Sequence, residues 1–197
     1  MQLKNVKFEK SLSSFAQFSG DDLPEVAVVG RSNVGKSSFI NMLANNNKLA
    51  KTSSEPGRTR LINLFNVNGE FRLVDLPGYG YAKATTEEQN KWAKMIEEYL
   101  SQSANLKACV LLVDIRHAPT QKDVQMLNYL VFYNIPVLIV ATKLDKIKSS
   151  EKRKCVGIIA SSLKTGIDNV ICVSNDSGKG RDEIVDKILQ VAKTANL

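Results

Sequence analysis

Hydrophobic positions divide the chain into short apolar runs that alternate with segments of helical periodicity. Continuous apolar runs are typical of strands buried on both faces. They fall at residues 25–29, 108–114, 137–141 and 169–173. Residues 61–67 and 70–75 predict two more strands, and the Asn68-Gly69 pair between them favours a type I′ turn. These two strands are therefore expected to be antiparallel neighbours.

Helical spacing of apolar residues follows most of these strands. After a capping box predicted at Thr85/Thr86 with Glu88/Gln89, the residues Trp92, Ile96, Tyr99 and Leu100 share one face. Similar patterns cover residues 39–45, 118–132, 149–163 and 184–192. The alternation predicts a three-layer α/β/α domain over residues 25–197, with a six-stranded, mostly parallel sheet containing one antiparallel strand. Residues 1–24 predict an N-terminal extension, a short strand and a helical turn packed on the domain.

Composition excludes some classes of protein but does not indicate a particular function. The 197 residues are 43% hydrophobic and 24% charged, as in ordinary globular proteins. The longest apolar run is too short to cross a bilayer, and the N-terminus lacks a signal-peptide centre, so a cytoplasmic protein without a membrane role is expected. The net charge of +7 favours a polyanionic partner, or simply solubility. Three cysteines fit no metal or redox spacing and are expected to be reduced and structural.

The segment that organises the chain is a glycine-rich loop between the first buried strand and a helix. It matches the G-x-x-x-x-G-K-[ST] pattern of a phosphate-binding P-loop in its required context. Its backbone N–H groups would cradle phosphates, Lys36 would reach the β- and γ-phosphates, and the Ser37 hydroxyl would ligate Mg²⁺. The predicted contacts are Gly30, Arg31, Ser32, Asn33, Val34, Gly35, Lys36 and Ser37. The alternative is an ordinary glycine turn.

Two later segments refine this prediction. Asp75 ends a strand and begins Asp75-Leu76-Pro77-Gly78, so its carboxylate would orient Mg²⁺ through water and the Gly78 N–H would hold a γ-phosphate. Thr142-Lys143-Leu144-Asp145 also follows an apolar strand. The Asp145 carboxylate could accept from guanine N1–H and the 2-amino group, a pattern that adenine lacks, while the Lys143 stem covers the ring. Together these segments indicate GTP rather than ATP.

These motifs resemble the EngB family of small Ras-like bacterial GTPases. The matching segments are GRSNVGKS, PGRTR, DLPGYGYA, DIRHAP, IPV and TKLD, at residues 30–37, 56–60, 75–82, 114–119, 135–137 and 142–145. The resemblance implies a P-loop GTPase domain that binds GTP and GDP with Mg²⁺. It also implies a monomeric switch acting on the large ribosomal subunit, through rRNA and ribosomal proteins, whose loss causes cell-division and septation defects.

The resemblance also assigns residue roles. Thr59 would be the switch threonine that ligates Mg²⁺ and senses the γ-phosphate, within a nucleotide-contacting loop formed by Gly57, Arg58, Thr59, Arg60 and Leu61. Lys36, Thr59 and Gly78 would act on the transferred phosphoryl group. The base would also meet Val173, Ser174 and Asn175. Asn33 corresponds to an asparagine that binds K⁺ in potassium-dependent relatives, or is only a loop residue.

Departures from the common GTPase pattern keep rival functions open. Tyr79 stands where many GTPases carry a water-orienting Gln, so slow intrinsic hydrolysis is expected, with water positioned by backbone, K⁺ or a partner. Thr142 replaces the commoner Asn, and Asn175 replaces a small residue. One rival is a switch of the division machinery with negligible hydrolysis. Another is an ATP-dependent kinase, against which Asp145 argues.

Two features of the sequence allow either a purely structural or a functional interpretation. Residues 143–164 carry seven Lys or Arg and two acidic residues, which is either a solvated helix face or an RNA-contacting surface. The single histidine, His117, follows a buried strand and is expected to lie outside the phosphate edge, in a structural or partner-contact role.

Overall fold

A computed structural model describes residues 3, 5–18, 21–50, 61–80 and 85–193. The predicted contacts at Gly57, Arg58, Thr59 and Arg60 lie outside these ranges. The strands are β1 (Val6–Leu12), β2 (Glu25–Gly30), β3 (Ile62–Val67), β4 (Phe71–Asp75), β5 (Leu106–Asp114), β6 (Val137–Thr142) and β7 (Val170–Cys172). The helices are α1 (Lys36–Ala44), α2 (Thr86–Gln102), α3 (Gln121–Phe132), α4 (Lys152–Ser162) and α5 (Arg181–Lys193).

The described strands form one sheet in the order β1-β3-β4-β2-β5-β6-β7. The prediction of six strands was wrong, because β1 adds a seventh at the sheet edge. It pairs antiparallel with β3, from Val6 opposite Val67 to Leu12 opposite Ile62. The predicted hairpin is confirmed: β3 and β4 are antiparallel, and Asn68 and Gly69 both have positive φ, at 55° and 71°. Since both neighbours of β3 oppose it, β3 is the one antiparallel strand among those that the structure describes, as predicted.

Helices cover both faces of the sheet. Side chains of α1 and α5, including Phe39 and Ile188, pack with Val26, Val28 and Val110 on one face. Helices α2, α3 and α4 cover the other face, where Tyr99, Leu130 and Ile159 meet the alternate strand residues. This three-layer α/β/α arrangement confirms the predicted fold class, and it directs the loops after β2, β4, β5, β6 and β7 to one edge.

Local predictions for the helices also hold. The Thr85–Glu88 capping box at the start of α2 is present, and Trp92 is buried, as its helical spacing predicted. All three cysteines are free, and burial raises the pKa of the Cys109 thiol far above its ordinary value. Within the described residues, no helix is long and apolar enough to cross a membrane.

Candidate functional site

The P-loop joins β2 to α1 at the carboxyl edge of the sheet. Gly35 precedes the helix with φ of 100°, a conformation that costs a residue with a Cβ atom, and Asn33 also has a positive φ of 65°. Lys36 and Ser37 then begin α1. The N–H groups of its first turn lack partners within the helix, and they lie at the end of the helix that the loop surrounds. An anion is the ligand that such an arrangement favours.

A buried ion pair links the P-loop helix to β4. The Lys36 ammonium contacts an Asp75 carboxylate oxygen, and the two side chains are 8% and 2% exposed. The second oxygen accepts a hydrogen bond from the Asn63 amide at 3.4 Å. Asp75 is the last residue of β4, and because β4 runs parallel to β2, with Asp75 opposite Val28, both strands end at the same edge of the sheet. The two predicted phosphate-side residues therefore lie in contact.

The segment after Asp75 lies directly against the P-loop. Gly78 packs against the loop, because a Cβ atom built on it would lie at ordinary van der Waals distances of 3.4 Å from the Ser32 nitrogen and 3.5 Å from the Gly30 oxygen. The next residue makes two backbone hydrogen bonds: Ser32 N–H donates to the Tyr79 oxygen at 2.9 Å, and Tyr79 N–H to the Gly30 oxygen at 3.3 Å. Gly78 is thereby placed beside the phosphate cradle.

Tyr79 anchors this segment to α3. Its hydroxyl donates to Asp123 Oδ1 at 2.9 Å, while Asp123 Oδ2 accepts from the Thr120 N–H and hydroxyl at 2.7 Å. Burial, followed by the nearby Asp123 charge, holds the pKa of the Tyr79 phenol well above its ordinary value. The phenol is therefore a stable hydrogen-bond donor and cannot act as a general base near neutral pH.

The base-reading candidate Asp145 lies in the loop after β6. Its Oδ1 accepts from the Ser174 hydroxyl at 2.8 Å, and its Oδ2 pairs with the Lys146 ammonium at 2.9 Å. The Lys146 hydrogen bond, together with that of Ser174, lowers the pKa of this carboxyl. A carboxylate has about four acceptor positions, so two remain for a ligand. The side chain is 24% exposed and accessible to one.

Three side chains of the base-side loops hold those loops to the P-loop. Thr142 donates to the Val34 oxygen at 2.7 Å, Lys143 to the Asn33 oxygen at 2.8 Å, and Asn175 to the Gly35 oxygen at 3.1 Å. Thr142 and Asn175, two departures from the common pattern, therefore have structural roles here. The Asn175 Oδ1 is buried without a partner among the described residues. A bound ligand would be a natural source of the missing donor.

Asp114, which was not predicted as a site residue, completes this connection. It ends β5, and its Oδ2 pairs with Lys143 at 2.9 Å and with Arg116 at 2.7 Å. Lys143 has a left-handed backbone, with φ of 64°, that its contacts stabilise. Hydrogen bonds from Arg116 and Lys143 outweigh burial and lower the pKa of Asp114. The signal that identified Asp75, a carboxylate closing an apolar strand, also applied to Asp114.

The location expected for His117 was wrong. It lines a cavity of about 210 Å³ together with P-loop residues 31–34 and Lys143. The cause is the strand order: β5 lies directly beside β2, so the loop after β5 reaches the P-loop. Sequence order alone could not provide this adjacency.

The residues present fit a Mg²⁺ ion that is held mainly by a ligand. Hydroxyl and carboxylate oxygens, the donors at Ser37 and Asp75, are those that Mg²⁺ prefers. Among the described residues no group of three or more His, Cys, Asp or Glu could hold a metal alone. Phosphate oxygens and water would therefore have to supply most of the coordination.

Sequence comparison agrees with this geometry. Residues 25–143 match the family model described as 50S ribosome-binding GTPase. The chain is 49% identical to the probable GTP-binding protein EngB of Pelotomaculum thermopropionicum over 189 residues, 95% of this chain and 96% of that protein. Its identity to the protein of the same name from Streptococcus pyogenes serotype M28 is 47% over 187 residues, 94% of each chain.

Solved structures agree with this comparison in fold. A crystal structure of a probable GTP-binding protein EngB superposes with a TM-score of 0.75 at 27% identity, covering 86% of this chain and 99% of that one. Aquifex aeolicus Era bound to GDP and aluminium fluoride shares the fold, with a TM-score of 0.68 at 24% identity, covering 87% of this chain and 57% of that one. With its P-loop, its buried Lys36–Asp75 pair and an Asp145 carboxylate held by Ser174 and Lys146, the chain belongs to the EngB family of GTP-binding proteins.

Proposed function

We propose that this protein hydrolyses GTP to GDP and phosphate with Mg²⁺ and acts as a monomeric cytoplasmic switch in large ribosomal subunit assembly. The observation that carries the hydrolytic part is the buried Lys36–Asp75 pair beside the N-terminus of α1. The 50S ribosome-binding description of the matching family supports the ribosomal part. By its family resemblance, the protein is also needed for normal cell division and septation.

Binding of GTP would redistribute the charges of the phosphate side. The P-loop N–H groups and Lys36 would take the phosphates, and Asp75 would turn its carboxylate toward the water shell of the metal. Bound Mg²⁺ would neutralise charge on the phosphate oxygens. Ser37 and Thr59 would provide protein ligands to it. The Gly78 N–H and Lys36 would stabilise charge on the transferred phosphoryl group.

The attacking water needs another source of orientation. Tyr79 donates its hydroxyl to Asp123, 2.9 Å away, and cannot supply the amide that a glutamine would offer. Intrinsic hydrolysis is therefore slow in this proposal. Backbone groups, K⁺ near Asn33 or the ribosomal partner would position the water.

The same Tyr79 contact favours a second function. A segment fixed to α3 and lacking a water-orienting side chain suits a nucleotide-dependent binding switch of the division machinery that scarcely hydrolyses GTP. The two functions differ in turnover, because only the first includes repeated release of phosphate.

Phosphate release under multiple-turnover conditions tests the proposal. We expect turnover that requires Mg²⁺, rises when K⁺ replaces Na⁺, and rises further with purified bacterial large subunits but not with small subunits. Lys36→Ala is the control for contaminating GTPases. GTP binding without turnover in any of these conditions would favour the second function, and a lack of GTP binding would contradict both.

A further inference from the structure

The surface of α4 and its preceding turn combines exposed basic side chains with an unexplained helical glycine. We call Lys148, Lys152, Arg153, Lys154 and Lys164 the α4 basic surface; all five residues are exposed. Within the described part of the chain, no carboxylate forms an ion pair with any of them. By contrast, Arg72, Arg116, Lys143 and Lys146 each pair with a carboxylate. The α4 basic surface therefore leaves positive charge available to a partner.

The position of these charges does not favour the helix itself. Lys152, Arg153 and Lys154 form the first turn of α4, which contains no acidic residue. Positive side chains at a helix N-terminus oppose the helix dipole. The nearby Glu151 accepts a hydrogen bond from the Lys148 N–H at 3.0 Å, an interaction that orders the turn before the helix. Helix stability therefore does not account for the basic residues.

Gly157 lies one turn beyond Arg153 and Lys154. It is in the middle of α4, where glycine is a poor helix former, and a Cβ atom built there would meet nothing within 4 Å beyond the two neighbouring residues and the helix's own backbone. Packing inside the molecule therefore does not require glycine at this position. Gly157 shares a side of the helix with Arg153 and Lys154, which lie four and three residues before it, and it leaves that side without a side chain at this position.

We infer that the α4 basic surface and Gly157 form a docking surface for the phosphate backbone of structured RNA. Unpaired cations complement phosphates, and the missing side chain allows a backbone to approach the helix closely. Residues 146–164 contain no Phe, Tyr or Trp, so the surface lacks the aromatic platforms that single-stranded bases use for stacking. This inference rests on the proposed ribosomal function. It assigns the RNA contact to a face that does not include the loops proposed to bind the γ-phosphate.

Charge reversal with a matched control tests this surface. Arg153→Glu/Lys154→Glu is compared with Lys91→Glu/Lys94→Glu on α2, an equal change in net charge at exposed positions. Affinity is measured for a 20-base-pair RNA duplex and for purified large subunits, at several salt concentrations. We expect the α4 variant to lose at least about tenfold in affinity and the salt slope to fall by about two. The α2 variant should change little.

GTP affinity and nucleotide state separate this inference from the proposed function. The α4 variant should bind GTP as the wild type does, and its subunit affinity should fall by the same factor with GTP and with GDP. Wild-type binding to the subunit with no loss in the α4 variant would overturn the inference alone. If the wild type binds neither the RNA duplex nor the large subunit, the inference is overturned. GTP turnover that large subunits do not stimulate would separately count against the ribosomal function.

Gly157→Gln separates docking from folding. Glutamine is the better helix former, so the thermal midpoint should stay or rise while RNA affinity falls. Unchanged affinity in this variant would contradict the close approach. Vesicles containing anionic lipid provide the last arm: a loss seen only with vesicles would assign the charge to a membrane surface and overturn the RNA inference.

Discussion

The phosphate side and the base side of the site are built in opposite ways. On the phosphate side, Lys36 and Asp75 bury opposite charges in contact, at 8% and 2% exposure. On the base side, Asp145 keeps its carboxylate 24% exposed and is held by Ser174 and Lys146. The Lys36 cation can attract any phosphate whatever the base, whereas a positioned, accessible acceptor can distinguish one base from another. Affinity and choice of nucleotide should therefore respond to different mutations.

The largest effect is expected from Lys36→Ala. Nucleotide binding of every kind should be lost, because the cation that meets the phosphates is removed. Asp75 would also remain buried without its partner, and the free energy of unfolding should fall by about 3 kcal/mol. Nucleotide titration and denaturant unfolding measure the two effects. Lys36→Ala/Asp75→Asn should recover much of the stability but none of the binding, and retained binding in either variant would refute the assignment.

A smaller effect is expected from Asp114→Asn, which weakens the contact that positions Lys143. Dissociation of GDP should accelerate about tenfold, equivalent to about 1.4 kcal/mol, while the preference for guanine is kept. Stopped-flow release of a fluorescent GDP analogue measures this rate. Asp182→Asn is the matched control, because that carboxylate is 92% exposed and pairs with Arg181 at 3.3 Å. Equal effects of the two variants would show that Asp114 has no positioning role.

Thr142→Val tests the connection between the two sides at one hydrogen bond. The Val34 oxygen would lose its donor, and the free energy of unfolding should fall by about 1–2 kcal/mol. GTP affinity should weaken only modestly, since Thr142 is completely buried and contacts the P-loop backbone rather than the ligand space. Thr142→Ser retains the hydroxyl and should behave like the wild type. A large loss of affinity in the valine variant at unchanged stability would place Thr142 in direct contact with the nucleotide.

The smallest effect is expected from Tyr79→Phe. Removal of the hydroxyl deletes the bond to Asp123 but leaves the ring and the backbone contacts, so stability should fall by about 1 kcal/mol or less. The intrinsic rate of GTP hydrolysis should not fall, because Tyr79 does not orient water in this account. A pH-rate profile between pH 6 and 9 checks it. A tenfold loss of rate would give the phenol a catalytic role.

Much of this arrangement could be predicted from local sequence signals. The P-loop, the Asn68-Gly69 turn and the Thr85–Glu88 capping box depend on residues close together in the chain. Their physical causes, positive φ at glycine and asparagine and N-terminal capping, leave a trace in residue type. Asp75 and Asp145 were predicted because the first closes a recognisable strand and the second lies in a four-residue motif that follows one.

The remaining features depend on residues that are distant in sequence. The pairing of β1 with β3 joins residues about 50–60 positions apart, and nothing in the extension specifies its partner strand. His117 reaches the P-loop only because β5 lies beside β2. Asp123 and Tyr79 are 44 residues apart, and Tyr79 was interpreted only as a departure from the glutamine pattern. These contacts arise from the order of the strands and the packing of the helices, which the residue types alone do not indicate.

The measurement that tests the account most directly is the ratio of GTP to xanthosine triphosphate affinity in Asp145→Asn. The asparagine amide keeps one neutral acceptor oxygen for the N1–H, but it replaces the acceptor for the guanine 2-amino group with an N–H, which faces that amino group as a second donor and suits the 2-keto oxygen of xanthine. Charged hydrogen bonds contribute about 1.5–3 kcal/mol each, so GTP affinity should fall at least about a hundredfold while xanthosine triphosphate affinity rises. Unchanged GTP affinity with no gain for xanthosine triphosphate would contradict the guanine-reading role of Asp145.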